Sequence, residues 1–143
     1  MIATLKAIRP GAVLALVLAF HLPAAAQPAA SYTTGSEFYL AYRAAFDQAT
    51  SFDELLPWAA KARRDQIAKA PAGERAEAFA MVKMFDDRIN VTVVKETPSP
   101  DGAELQVEGI SAERRGKATG VITLVREDGA WKIDRESWKG GGL

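Results

Sequence analysis

At Asn90 the spacing of apolar residues changes from the 3.6 of a helix to the 2 of a strand, dividing the chain into two unlike halves. Upstream, Ser36 stands as an N-cap with Glu37 at the positive end of the dipole, ahead of Tyr39, Tyr42 and Phe46. A first helix therefore runs to about Ala49. Ser51-Phe52-Asp53-Glu54 has the form of a capping box and starts a second helix. Pro57 lacks the N–H that an interior turn needs, so this helix breaks or kinks before Trp58 and resumes to about Lys69. It buries Leu55, Trp58, Ala59 and Ala62 and turns Lys61 to Asp65 to solvent. After Pro71-Ala72-Gly73, the residues Ala78, Met81, Val82, Phe85 and Ile89 make the apolar stripe of a third helix.

Downstream of Asn90, Val91 to Thr97 is β-branched and extended, and Pro98 to Gly102 is a turn. Ala103 to Glu108 then alternates strictly, with Ala103, Leu105 and Val107 inward. Asp128-Gly129 joins Lys117–Arg126 to Trp131–Trp138, a strong hairpin signal. A two-residue turn there sets Glu127 opposite Ala130, Arg126 opposite Trp131, Leu124 opposite Ile133 and Ile122 opposite Arg135. Gly120, Ile122, Leu124, Trp131 and Ile133 then face the helices. A longer loop with a bulge would move this register by one residue. Helices followed by strands predict an α+β domain: three N-terminal helices packed on a curved four-stranded antiparallel sheet, a meander.

The first residues have the three parts of a cleavable secretory signal. Lys6 and Arg9 precede an apolar run from Ala12 to Leu22, broken only by His21, and Ala24-Ala25-Ala26 supplies the small side chains of a cut site. As a helix this run covers about 16 Å, whereas a bilayer crossing takes about 20 apolar residues. Cleavage between Ala26 and Gln27 predicts a periplasmic or secreted protein with no membrane span. Residues 1–26 are then the signal peptide, 27–35 a flexible leader, 36–139 a single α+β domain and 140–143 a mobile tail.

That cleavage has chemical consequences. His21 is the only histidine and there is no cysteine, so the exported chain has neither. Ser-His-Asp and Cys-His nucleophile systems are excluded, together with zinc held by His or Cys. No metal and no other cofactor is expected. Losing Lys6 and Arg9 leaves the balance slightly acidic, without the clustered basic excess of a nucleic-acid binder.

The closing hairpin, Thr119 to Asp134, resembles the last two strands of small exported domains of the nuclear transport factor 2-like superfamily. The helical part, from Phe46 through Leu55-Leu56-Pro57-Trp58 to Phe85, is similar to uncharacterised bacterial members of that kind. The resemblance implies a cone-shaped α+β domain whose sheet and helices enclose a pocket. It also implies a function drawn from isomerases, dehydratases and binding or dimerising modules without catalysis. The superfamily's catalytic Asp, His and Tyr positions have no residue-by-residue match in this chain.

Tyr39, Tyr42, Arg43 and Phe46 form an aromatic stripe with a cation, either a core stripe with hydroxyls at its rim or the lining of a pocket mouth. Trp58, with Trp131 and Trp138, is a core aromatic or a stacking surface. Arg135 would face inward in the two-residue hairpin register, holding an anionic ligand or pairing with a helix carboxylate such as Asp47; a shifted register would expose it. Tyr39, Tyr42, Arg43, Trp58 and Arg135 are therefore the candidate ligand-binding residues, and no catalytic residue is assigned. Arg114-Arg115-Gly116-Lys117 reads as a solvated basic turn. Three function classes remain. The first is a non-enzymatic module binding a small apolar or amphipathic ligand or a protein partner. The second is an isomerase or dehydratase using a buried carboxylate with Tyr39 or Tyr42. The third is an adaptor that forms a homodimer through the outward row Thr119, Val121, Thr123 and Val125.

Overall fold

The computed structural model describes residues 31–86, 89–111 and 116–140, and side-chain positions are not described at 85, 86 and 111. The signal segment 1–26, the start of the leader, Arg114-Arg115 and the tail from Gly141 lie outside the described residues. Helix α1 (Gly35–Gln48) is followed by a 3₁₀ helix (Phe52–Trp58), α2 (Lys61–Lys69) and α3 (Ala72–Asp86). Strands β1 (Ile89–Ser99), β2 (Gly102–Ser111), β3 (Lys117–Glu127) and β4 (Ala130–Gly140) form one antiparallel sheet in the order β1-β2-β3-β4. This is the α+β meander expected from the change of period at Asn90.

The core lies between α1 and the inner face of the sheet. Phe38, Tyr39, Tyr42 and Phe46 of α1 pack with Ala103, Leu105, Val107, Ile122, Leu124, Trp131 and Ile133, and the 3₁₀ helix adds Leu55 and Trp58. Pro57 explains that tight element, because the missing N–H and fixed φ disfavour regular α-helix there. Ala62, expected in the core, is exposed.

Several local details differ from expectation for readable reasons. The N-cap of α1 is Thr34, not Ser36: Glu37 N–H donates to Thr34 Oγ1 (3.1 Å) and the Glu37 carboxylate accepts from Thr33 and Thr34 N–H, a full capping box two residues upstream. Within the expected leader, Tyr32 already packs edge-on against Phe38 at 5.6 Å, and its carbonyl accepts from Trp131 Nε1 at 3.1 Å. Ser51 makes no side-chain cap; Glu54 accepts instead from Thr50, through its N–H and hydroxyl. The stripe expected to bury α3 does not do so at Ala78, Met81 or Val82, and its Phe85 side chain lies outside the described residues. Met81 and Met84 are 60% and 63% exposed, and Ala78 and Val82 are also exposed. The helix is anchored through Phe79, whose ring meets Phe46 and Phe52. Lys83 Nζ donates to the carbonyls of Phe46 and Asp47, capping the C-terminus of α1.

The turn at Asp128-Gly129 has positive φ at both residues (52° and 79°), the two-residue geometry that matches the strand twist. Glu127 faces Ala130, Arg126 faces Trp131 and Leu124 faces Ile133, as expected. Then a bulge intervenes: Thr123 pairs with Arg135 and Ile122 with Glu136. The expected pair of Ile122 with Arg135 is corrected by this one extra residue, which turns Arg135 outward and Glu136 inward. The other edge strand, β1, carries a bulge between Val93 and Lys95, and it turns Glu96 inward.

Candidate functional site

Those two bulge-placed glutamates make strongly polar contacts between the sheet and α1. Tyr39 Oη donates to Glu136 Oε1 at 3.2 Å and Tyr42 Oη to Glu136 Oε2 at 3.4 Å. Arg63 Nη2, from α2, closes the group with a 2.8 Å ion pair to Glu136 Oε2. Tyr39 and Tyr42 are three residues apart on one helix face, which is why both hydroxyls reach one carboxylate. Burial alone would lower the pKa of the Arg63 guanidinium; the facing Glu136 carboxylate, with the tyrosine oxygens behind it, outweighs burial and raises it.

Glu96 works at the other end of α1. Its Oε1 accepts from Gly35 N–H (2.9 Å), and its Oε2 accepts from Ser36 N–H (3.0 Å) and the Ser36 hydroxyl (2.5 Å). Burial raises the pKa of this carboxyl, but the Ser36 hydroxyl and the two backbone donors hold it below the ordinary carboxylate value. A third glutamate repeats the device. Glu127 of β3 accepts from Lys61 N–H at 2.7 Å, capping α2 where the N-cap residue Ala60 has no side chain to do so.

Of the residues singled out in the sequence, Tyr39 and Tyr42 meet in this cluster. Trp58 is buried beside them, its ring 6.1 Å from Tyr42 and 5.5 Å from Phe38. Arg43 is buried on α1 with its guanidinium 5.4 Å from the centroid of the Phe46 ring. Arg135 lies on the opposite, exposed face of the sheet. The polarity of the expected pair is thus reversed: the strand supplies the anion, Glu136, and a helix supplies the cation, Arg63. Sequence reading missed Arg63 because it sits in a charge-rich stretch that looks solvated, and missed Glu136 and Glu96 because each follows a bulge.

One cavity adjoins the cluster. A cavity of about 20 Å³ lies among Tyr42, Phe52, Leu55, Ala59, Arg63, Ile67 and Ile133, room for about one water. No buried side-chain nitrogen or oxygen among the described residues lacks a hydrogen-bond partner. Nor do the described residues gather three or more His, Cys, Asp or Glu as metal ligands would stand.

The outer face of the sheet has a different character. Among the described residues, no helix covers a depression of about 370 Å³ lined by Val94, Gln106, Glu108, Thr119, Val121, Ser137 and Lys139. Val94 and Val121 are 57% and 42% exposed there. Across the rows, Thr92, Glu108, Thr119 and Lys139 stand in line, then Lys95, Gln106, Val121 and Ser137, then Thr97, Glu104, Thr123 and Arg135.

Comparison of the chain with models of protein families, with curated proteins and with solved structures finds no match. The fold and the two faces of the sheet are therefore what a functional reading must rest on.

Proposed function

We propose that this protein is an exported, non-catalytic binding module that engages a protein partner through the open outer face of its sheet. The observation that carries this reading is the contrast between the two faces. The inner face is occupied by α1 and its polar groups are satisfied, whereas the outer face presents exposed valines at the centre of a depression with charged residues around it. Export follows from the signal features of residues 1–26, and the likeness to non-catalytic nuclear transport factor 2-like modules is consistent with a binding role.

The Glu136 cluster gives a second reading its one specific support, since a carboxylate beside two phenols is what an isomerase or dehydratase would use. Two features favour the clamp over the enzyme. The carboxylate is paired with Arg63, and the adjoining cavity has no room for a substrate. We take the cluster as the device that fixes α1 on the sheet.

Site-specific photo-crosslinking in the expressing cell tests the binding reading. A photoreactive residue at Val94 is expected to give a discrete protein adduct that Val121→Arg abolishes, while one at Glu77 on α3 gives none. Equal adducts from both positions, or none from Val94, overturns the reading. The mass of the protein recovered from the cell envelope is expected to correspond to a chain beginning at Gln27.

A further inference from the structure

Resting on that reading, we infer that the partner on the outer face is a second copy of this chain, related by a two-fold axis lying along β3 between two facing sheets. The argument comes from where the outward charges stand. Strand β2 presents Glu104 and Glu108, and β4 presents Arg135 and Lys139, with Thr119, Val121 and Thr123 of β3 between them and Lys117, whose charge Glu108 of the same chain offsets, at the end of that line. Glu108 and Lys139 share one row through Thr119, and Glu104 and Arg135 share another through Thr123.

Adjacent strands lie about 4.8 Å apart, so each acid is about 10 Å from the base in its own row, where salt screens the attraction. A rotation about an axis along β3 keeps every row at its own level and exchanges the two sides of that strand. It therefore sets β2 of one copy over β4 of the other. Glu108 meets the partner's Lys139 and Glu104 meets the partner's Arg135, twice each by symmetry, while Thr119, Val121 and Thr123 meet their own copies on the axis. An axis running across the strands does the reverse, setting β2 over β2 and β4 over β4 with like charges opposed. The charge pattern thus selects one axis of the two that stack the sheets with their strands aligned.

The overlap is three strands wide, on the order of 500 Å² a side for strands of this length, the low end for a specific interface. Association should accordingly be weak and salt-sensitive. Within the chain, Lys117 Nζ already pairs with Glu108 at 2.6 Å, and because both side chains are partly exposed this pair leaves Glu108 able to accept a second cation.

Sedimentation equilibrium on the chain as recovered from the expressing cell tests the inference. A monomer–dimer equilibrium is expected at low salt, with a dissociation constant that rises on adding salt. Glu108→Lys alone and Lys139→Glu alone should each weaken the dimer about tenfold, and the two together should return it to within about threefold of the parent. Pairing Glu108→Lys with Arg135→Glu joins different rows and should not restore it. A protein that stays monomeric at millimolar concentration, or a cross-row pair that restores the dimer as well as the same-row pair, overturns the inference. A monomer whose Val94 adduct is still lost on Val121→Arg overturns only the second copy and leaves the outer face as a site for another protein. Loss of neither adduct nor dimer in any variant overturns both.

Discussion

Glu96 and Glu136 stand at the two ends of one row across the inner face of the sheet, joined through Leu105 and Ile122. Each lies on an edge strand just past a bulge, and each reaches α1, Glu96 at its N-terminus and Glu136 through Tyr39 and Tyr42. Two edge bulges therefore do one job. They turn a carboxylate inward at each side of the sheet and hold the helix between them.

Removing either member of the Glu136 group should expose how much of that hold is electrostatic. Glu136→Ala leaves Arg63, only 26% exposed, without its carboxylate, and should cost about 2 kcal/mol, below the range for a fully buried pair because water reaches both groups. Tyr42→Phe removes one hydroxyl and should cost about 1 kcal/mol. Arg63→Met with Glu136→Leu should cost less than Glu136→Ala alone. Urea denaturation of the parent and these three variants measures all of these, and a double variant that costs as much as Glu136→Ala would contradict the coupling.

The acid dependence of stability should be carried in part by Glu96. Its folded pKa lies below the ordinary value of about 4.3, so its contribution is complete above that value and is lost as pH falls through the folded one. Glu96→Gln should therefore be less stable than the parent at pH 7, by about 1 kcal/mol for a lost helix-end acceptor, and the difference should shrink as the pH is lowered toward 3. Denaturation midpoints over that pH range test the sign. A gap that widens in acid would assign the lowered pKa to something other than the helix cap.

These two glutamates also mark where the sequence stops being legible. The period change at Asn90, the Pro57 break and the Asp128-Gly129 turn are local signals, each acting through the φ/ψ or hydrogen bonding of its own residues, and the structure follows them. A bulge has no such signature. Nothing at Val94 or Asp134 announces the extra residue, and beyond it every side chain changes face, so the two-residue hairpin register alone sets Arg135 inward and only a shifted register exposes it. Arg63 was hidden for a related reason: a cation in Lys61-Ala62-Arg63-Arg64-Asp65 is indistinguishable from its neighbours until a tertiary partner is known.

Two glycine substitutions should separate crowding from propensity. A Cβ on Gly102 would lie 2.0 Å from the Leu124 carbonyl oxygen, a backbone atom that cannot swing aside, so Gly102→Ala should destabilise by about 2 kcal/mol or more. A Cβ on Gly73, near the start of α3, meets nothing within 4 Å, and Gly73→Ala should stabilise by about 0.5 kcal/mol. Thermal denaturation of both variants gives the comparison, and a stable Gly102→Ala would mean the β2–β3 pairing is looser at this point than the close approach implies.

Helix α3 offers the sharpest test of packing against pattern, because its apolar period and its burial disagree. If the stripe read from the sequence were the buried face, Met81→Lys would cost several kcal/mol while Met84→Lys, off that stripe, would cost little. The structure exposes both side chains and anchors the helix through Phe79, set between the rings of Phe46 and Phe52. The two lysine variants should accordingly fall within about 0.5 kcal/mol of the parent. Phe79→Ala should lose about 3 kcal/mol and, by releasing α3, should also free the C-terminus of α1 from the Lys83 cap. Hydrogen exchange at Ala49, whose N–H donates to Ala45 and Phe46 within the last turn of α1, reads that second effect directly. Faster exchange there in Phe79→Ala, with none in Met81→Lys, is the expected pattern; equal protection in both would place the anchor of α3 elsewhere.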